Sequence, residues 1–434
     1  MDKMADVLGR AGAWCGQNKY LSAIKNAFQN FMPLTIAGAI GVLWCNVLVN
    51  DQTGLGLFFK PIMALDFLNP AFQAVNFCTI SCITVGITLG IAQEIGIWNM
   101  GAEKAGYIPG LVGLAAWLSV TNTSHMVEGA KEAFTGIAGN ELGATGLFTG
   151  MIIGVLSVEL FCFFEKQDAL KIKMPEQVPP GVARAFEVLV PATITLIITA
   201  CIGSACYNLT GLYLNDVIKN GIQGPLGAVG ATIPGVMIIY LVIMLFWLVG
   251  IHGNNMLSAV KEALFTPLAL ENVEAFNKHQ TPKNIINMYA LQMWGEFGGS
   301  GVTIGLVIAI MIFGKREDNK AIATLSLVPG LFNINETVTF GIPMVLNPIL
   351  GIPFVLAPIA TIVVGYILTV IGFCPVACLT VPWTTPPIVF GFLACGANVM
   401  GAVTQAILVV VSTVIYTPFL ISYEKYQNKQ AAEA

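Results

Sequence analysis

Long apolar runs, separated by short polar connections, dominate this chain of 434 residues. Continuous runs over 31–49, 71–91, 106–120, 144–164, 186–207 and 225–249 are each predicted to span a membrane as a helix. They lack the alternating polar positions of a transmembrane barrel. After Val249 the regularity degrades: 256–276 is amphipathic, 277–287 is polar, and 298–313 is apolar again. Nine of the 22 prolines fall between Pro329 and Pro387. Sequences such as Gly341-Ile342-Pro343 and Gly351-Ile352-Pro353 are expected to break helices there. Non-helical backbone at membrane depth is tolerated only inside protein or along a water-filled cavity, so re-entrant hairpins around a substrate site are expected. Continuous spans are predicted to resume over 354–373 and 397–422. The fold class that follows is an all-α polytopic membrane protein with about ten transmembrane helices and re-entrant hairpins in its C-terminal half.

Composition agrees. Apolar residues make up 56% of the chain and charged residues 10%, with a mean hydropathy of +0.77. A soluble domain carries about 25% charged residues, so this chain has too few to cover a water-facing surface. The net charge of −4 argues against a nucleic-acid partner. Most of the ten cysteines lie in apolar runs and read as small buried hydrophobes, and Cys374 and Cys378 lack zinc-site spacing. The sequence contains no phosphate-binding loop, dinucleotide fingerprint or metal-binding carboxylate cluster, so no cofactor and no metal are expected.

Basic residues orient the spans. Fourteen fall in segments assigned to the cytoplasmic side, against three in the outer loops 50–70, 121–143 and 208–224. Residues 1–30 place Met4, Val7, Leu8, Ala11 and Cys15 at helical spacing beside Lys3, Arg10, Lys19 and Lys25, which predicts a cytoplasmic amphipathic surface helix. No cleavable signal peptide is expected, since the first apolar run begins near Phe31. Residues 31–164 form a first block of spans, and 165–185, rich in charge and proline, reads as a cytoplasmic linker. Residues 186–423 then form the substrate-binding region and 424–434 a cytoplasmic tail.

Charges that survive inside apolar sequence mark candidate chemistry. In the 103 residues from Ala321 to Tyr423 the single charged side chain is Glu336. Keeping a carboxylate there costs roughly 2.5 kcal/mol or more, and such residues usually face a polar cavity or pathway. Asn333 and Asn335 beside it could satisfy a buried carboxylate; a helix cap is the plainer role. His252 follows another long uncharged run, in Ile251-His252-Gly253-Asn254-Asn255, as a site residue or an interfacial histidine. Glu296 lies in Trp294-Gly295-Glu296-Phe297-Gly298-Gly299-Ser300-Gly301, where glycine-rich backbone serves either a ligand or close helix packing. Trp383, in Pro382-Trp383-Thr384, suits stacking on a pyranose ring, or the aromatic belt of a membrane interface. These residues alone fit a transporter and leave its energy source open. Proton-coupled sugar symport, with Glu336 as proton carrier, is the alternative to group translocation. A membrane enzyme acting on a lipid-linked sugar is a third.

The motifs add a resemblance. Phe332-Asn333-Ile334-Asn335-Glu336-Thr337-Val338-Thr339-Phe340-Gly341-Ile342-Pro343, continuing through Leu346-Asn347-Pro348 to Ile352-Pro353-Phe354, resembles the signature of enzyme IIC of the sugar phosphotransferase system, in its lactose/cellobiose/diacetylchitobiose branch. Gly250-Ile251-His252-Gly253, Gly298-Gly299-Ser300-Gly301, Pro382-Trp383-Thr384 and Met32-Pro33-Leu34-Thr35-Ile36-Ala37-Gly38 resemble it as well, and the likeness covers essentially the whole chain. Thr337 stands where this branch is expected to have proline. The resemblance implies a homodimeric permease of the bacterial inner membrane, surrounded by lipid, that imports a β-linked disaccharide. It implies that the sugar 6-hydroxyl is phosphorylated by a phosphocysteine on a separate enzyme IIB. It assigns Glu336 to the reacting hydroxyl, with burial expected to raise its basicity, and His252 to orienting that hydroxyl. Gly253, Asn254, Asn335 and Glu296 become candidates for other sugar contacts, and Trp383 for a ring face.

Overall fold

The apolar runs fold as helices, because a helix satisfies every backbone polar group within the segment itself. The structure, a computed structural model, describes residues 10, 13–14, 17–51, 55–125, 134–175, 177–342, 344–345 and 347–433. Much of the surface helix expected over 1–30 lies outside the described residues, as do Pro343 and Leu346. From Lys19 onward the chain is already in the helix that leads into the first span.

Two compact units are present. The first comprises residues 17–38 and 74–228. It holds most of α1 (Lys19–Leu43) together with α2 (Ile83–Met100), α3 (Ile108–Val120), α4 (Ala144–Glu165) and α5 (Pro180–Thr210). Small residues let these helices approach closely: a Cβ added to Gly113 would lie 2.3 Å from Ala92 Cβ, and one on Gly150 2.2 Å from Thr88 Oγ1. Ala116, Trp117, Val120 and Ile153 form a buried cluster between them. The run 71–91 is not one helix. It breaks at Cys82 after a π-helical turn over Phe77–Ser81. The linker region closes on a buried charge: Glu165 accepts ion pairs from Lys104 at 2.9 Å and Arg184 at 3.0 Å.

The second unit comprises residues 39–73 and 229–434. Its main helices are α6 (Ile233–Leu248), α7 (Gly253–Asn277), α8 (Met288–Gly295), α9 (Ile304–Phe313), α10 (Glu317–Leu331), α11 (Glu336–Gly341), α12 (Gly351–Val370), α13 (Val389–Ala394) and α14 (Val399–Glu433). Helix α14 packs against α9, α12 and α13, and α6 packs against α7 and α12. Residues 424–433 continue α14 as helix. Gly351-Ile352-Pro353 opens α12 instead of breaking a helix. A proline in a first turn forfeits no intrahelical bond, and the Asn347 side chain takes the amides of Ile349 and Leu350, both at 2.9 Å.

Among the described residues, five helices are long and apolar enough to cross a membrane, or seven if each of two bent pairs counts as one span. Two shorter apolar helices, α3 and α6, accompany them.

Candidate functional site

The site is assembled within the second unit from chain breaks rather than from helix faces. Helix α6 ends at Leu248, Gly250 turns the chain at φ 81°, and His252 caps α7. The His252 carbonyl accepts from the amides of Asn255 at 3.1 Å and Met256 at 3.2 Å, and its Nδ1 also accepts from Asn255 at 3.3 Å. With Nδ1 an acceptor, the neutral ring carries its proton on Nε2. The imidazole packs on Trp247 with ring centroids 4.5 Å apart. Gly253 contributes by having no side chain, since a Cβ there would lie 2.0 Å from the Ile243 carbonyl oxygen. Gly253→Ala is therefore expected to cost about 1–3 kcal/mol of stability through overpacking. Thermal unfolding of the detergent-solubilised protein reads this directly; an unshifted midpoint would mean that the start of α7 is not held against Ile243.

Between α8 and α9 the backbone leaves the helix, and the two segments are bent by 61°. Gly299 and Gly301 have φ of 84° and 77°, in the left-handed region that favours glycine. Cβ atoms there would meet Asn335 Cβ at 2.6 Å and Phe354 Cδ2 at 2.4 Å. Surrounding elements each hold one group of this loop. Asn333 Oδ1 accepts from the Gly298 amide at 2.5 Å, and Thr303 Oγ1 donates to the Gly298 carbonyl at 2.8 Å. Tyr416 of α14 donates to the Gly301 carbonyl at 2.7 Å. Ser300 is the meeting point of two residues that the sequence singled out. Its carbonyl accepts from Asn335 Nδ2 at 2.8 Å and its hydroxyl from Asn254 Nδ2 at 3.1 Å. Asn254 Oδ1 is buried and has no hydrogen-bond partner among the described residues.

Glu336 opens α11 directly after Asn335. Its side chain is exposed, against the expectation of a buried carboxylate, and no described residue hydrogen-bonds it. It is the first residue of a helix only six residues long, while the neighbouring Asn335 is the one turned inward and 4% exposed. The charged groups felt by the His252 ring are Glu336, Lys261 and Glu296, so these four side chains share one region.

Glu296 is engaged by neighbouring side chains. Its carboxylate is ion-paired to Lys261 of α7 and accepts from the Tyr240 hydroxyl at 2.8 Å. It braces the foot of the glycine loop, and one of its oxygens is already spoken for by protein. Trp383 is 45% exposed, which leaves ring surface for stacking. Its position is fixed through the backbone, because Asn333 Nδ2 donates to the carbonyls of Trp383 and, at 3.1 Å, Thr385.

Sequence reading underrated Asn333, Ser300, Lys261 and Tyr240. Asn333 joins the 298 loop to the 383 loop from a φ of 64°, a conformation that asparagine tolerates better than most residues. Lys261 lies in an amphipathic stretch directly before Glu262, and only the fold brings Glu296 to it.

Comparison with known proteins follows the same lines. The family model for the phosphotransferase system EIIC component matches residues 25–358. The oligo-beta-mannoside-specific EIIC component of Bacillus subtilis is 33% identical over 98% of this chain and 94% of its own length. The cellobiose-specific EIIC component of Lactococcus lactis is 28% identical over 98% of both chains. Among solved structures, the transporter ChbC, the IIC component from the N,N'-diacetylchitobiose-specific phosphotransferase system, superposes with a TM-score of 0.88 at 29% identity, covering 97% of each chain. The chain belongs to the EIIC family of the phosphotransferase system, the membrane permeases for sugar transport.

Proposed function

We propose that this permease imports a β-linked disaccharide of the cellobiose or diacetylchitobiose type and presents its 6-hydroxyl for phosphorylation by a separate enzyme IIB. The observation that carries the reading is Glu336: an exposed carboxylate with no hydrogen-bond or ion-pair partner among the described residues, in the electrostatic neighbourhood of the His252 ring. Relatives named for oligo-beta-mannoside, cellobiose and lichenan support a β-linked substrate.

The chemistry follows from these groups. Sugar O6 attacks the phosphorus of an enzyme IIB phosphocysteine, the O–P bond forms as the S–P bond breaks, and the hydroxyl proton passes to the Glu336 carboxylate. The Nε2–H of His252 donates to the same hydroxyl oxygen and orients a lone pair toward phosphorus. Asn254 Oδ1 and the Asn335 region take further hydroxyls, Gly253 and Glu296 shape the pocket around them, and Trp383 stacks on a pyranose face. The resemblance further supports a homodimer of about ten spans per chain in a bacterial plasma membrane, with both termini cytoplasmic. Proton symport is not favoured by this family membership.

Inside-out vesicles carrying the chain, a protonophore and labelled cellobiose test the reading. Sugar 6-phosphate is expected only when the soluble phosphoryl relay is added. Uptake that needs no relay and collapses with the protonophore would transfer Glu336 to proton coupling, and product formed without uptake would point to a membrane enzyme.

A further inference from the structure

Away from the sugar site, α9 and α14 leave an apolar groove of about 740 Å³ between them. Ile308, Ile312 and Phe313 line one wall and Val410, Val414 and Ile421 the other. Two threonines in the groove are polar in name only. Thr413 Oγ1 donates to the Val409 carbonyl at 2.9 Å and Thr417 Oγ1 to the Thr413 carbonyl at 2.7 Å, so each presents its methyl group. Pro418 lacks the N–H that would bond the Val414 carbonyl, which loosens α14 at the groove.

One end of the groove is cationic. Directly after Phe313 come Gly314, Lys315 and Arg316, and the Lys315 amide donates to Glu424 Oε2 at 2.8 Å. That bond lays the segment beside the end of α14, where Lys425 follows Ile421 by one helical turn. The nearby carboxylates already have partners. Asp318 pairs with Arg316 at 2.6 Å, Glu317 with Lys320 at 3.1 Å, and buried Glu424 accepts from the Lys315 amide and from Asn319. Lys315 and Lys425 are exposed and, among the described residues, have no ion-pair partner.

An apolar trough ending at two unpaired ammonium groups matches one kind of amphiphile. We infer that the α9–α14 groove is a binding site for an anionic glycerophospholipid, with an acyl chain along Ile312, Val414 and Ile421 and the headgroup phosphate at Lys315 and Lys425. Charge complementarity selects this occupant over a neutral lipid, since each basic residue near a membrane surface favours an anionic headgroup.

Native mass spectrometry of the full chain, released from micelles doped with equal phosphatidylglycerol and phosphatidylcholine of identical acyl chains, tests it. The expected result is one retained phosphatidylglycerol per chain, preferred over phosphatidylcholine by on the order of ten-fold. In Lys315→Gln/Lys425→Gln the preference should fall to near parity, with retention of both lipids otherwise intact. Val414→Trp, which fills the trough, should lower retention of both. Equal retention of the two lipids by the unaltered protein would overturn the proposal, as would full phosphatidylglycerol preference in the double lysine variant. Cellobiose binding by each variant serves as the folding control, because these residues lie outside the sugar site.

Discussion

Glu336→Gln is expected to leave a folded protein that still binds disaccharide, while lowering the rate of sugar-phosphate formation by about a hundred-fold or more. Glutamine keeps the size of the side chain and one acceptor oxygen but has no basicity, so it separates binding from proton removal. The structure makes the substitution mild for the fold: the side chain is exposed, accepts no hydrogen bond from described residues and stands at the start of a six-residue helix. A carboxylate near a helix N-terminus gains only a few tenths to about 1 kcal/mol from the helix dipole. The measurement is single-turnover transfer from phosphorylated enzyme IIB to cellobiose, alongside calorimetric sugar binding. Transfer at the unaltered rate would remove Glu336 from the mechanism. Loss of binding and transfer in equal measure would make it a sugar ligand rather than a base.

The second large effect is expected at a residue that touches no sugar in the proposed scheme. Lys261→Met leaves Glu296 as a largely buried carboxylate whose remaining hydrogen-bond donor, among the described residues, is Tyr240; the side chains of the pair are 7% and 18% exposed. Breaking a buried pair by removing one partner costs roughly 3–5 kcal/mol, more than the pair itself is worth, because the remaining charge has lost its compensation. Glu296 stands at the foot of the Gly298–Gly301 loop, so its displacement should move Ser300, and with Ser300 the side chains of Asn254 and Asn335. Lys261→Met should therefore depress both the unfolding temperature and cellobiose affinity. Lys261→Met/Glu296→Gln should regain most of each, since neither charge of the Lys261–Glu296 pair is then left behind. A double variant no better than the single one would show that Lys261 acts on its own account, as a direct ligand.

The hydrophobic pattern located the helices well where they are long. The run 144–164 appears as α4, extended to Glu165, and 186–207 appears as α5, which is longer and already begins at Pro180. Spans interrupted by tertiary demands were less legible. The break at Cys82 and the proline that opens α12 depend on which backbone groups find partners elsewhere, and apolar periodicity does not record that. Site residues show the same division. Glu336 and His252 were conspicuous because a charge or an imidazole in lipid-soluble sequence is costly, and the same reasoning picked out Glu296 and Trp383.

Roles within the site came from the fold. Glu296 and Lys261 are 35 residues apart and Ser300 and Asn335 also 35, separations at which sequence carries no information about contact. The exposure of Glu336, the bracing of Glu296 and the junction at Ser300 each depend on how separate chain breaks are brought together. Composition and apolar run length alone fixed the membrane class and the presence of rare polar groups, because the bilayer penalises each charge locally, residue by residue. Which of those groups face a ligand and which pair with one another was decided by packing, because hydrogen bonds and ion pairs depend on positions in space that the one-dimensional pattern does not contain.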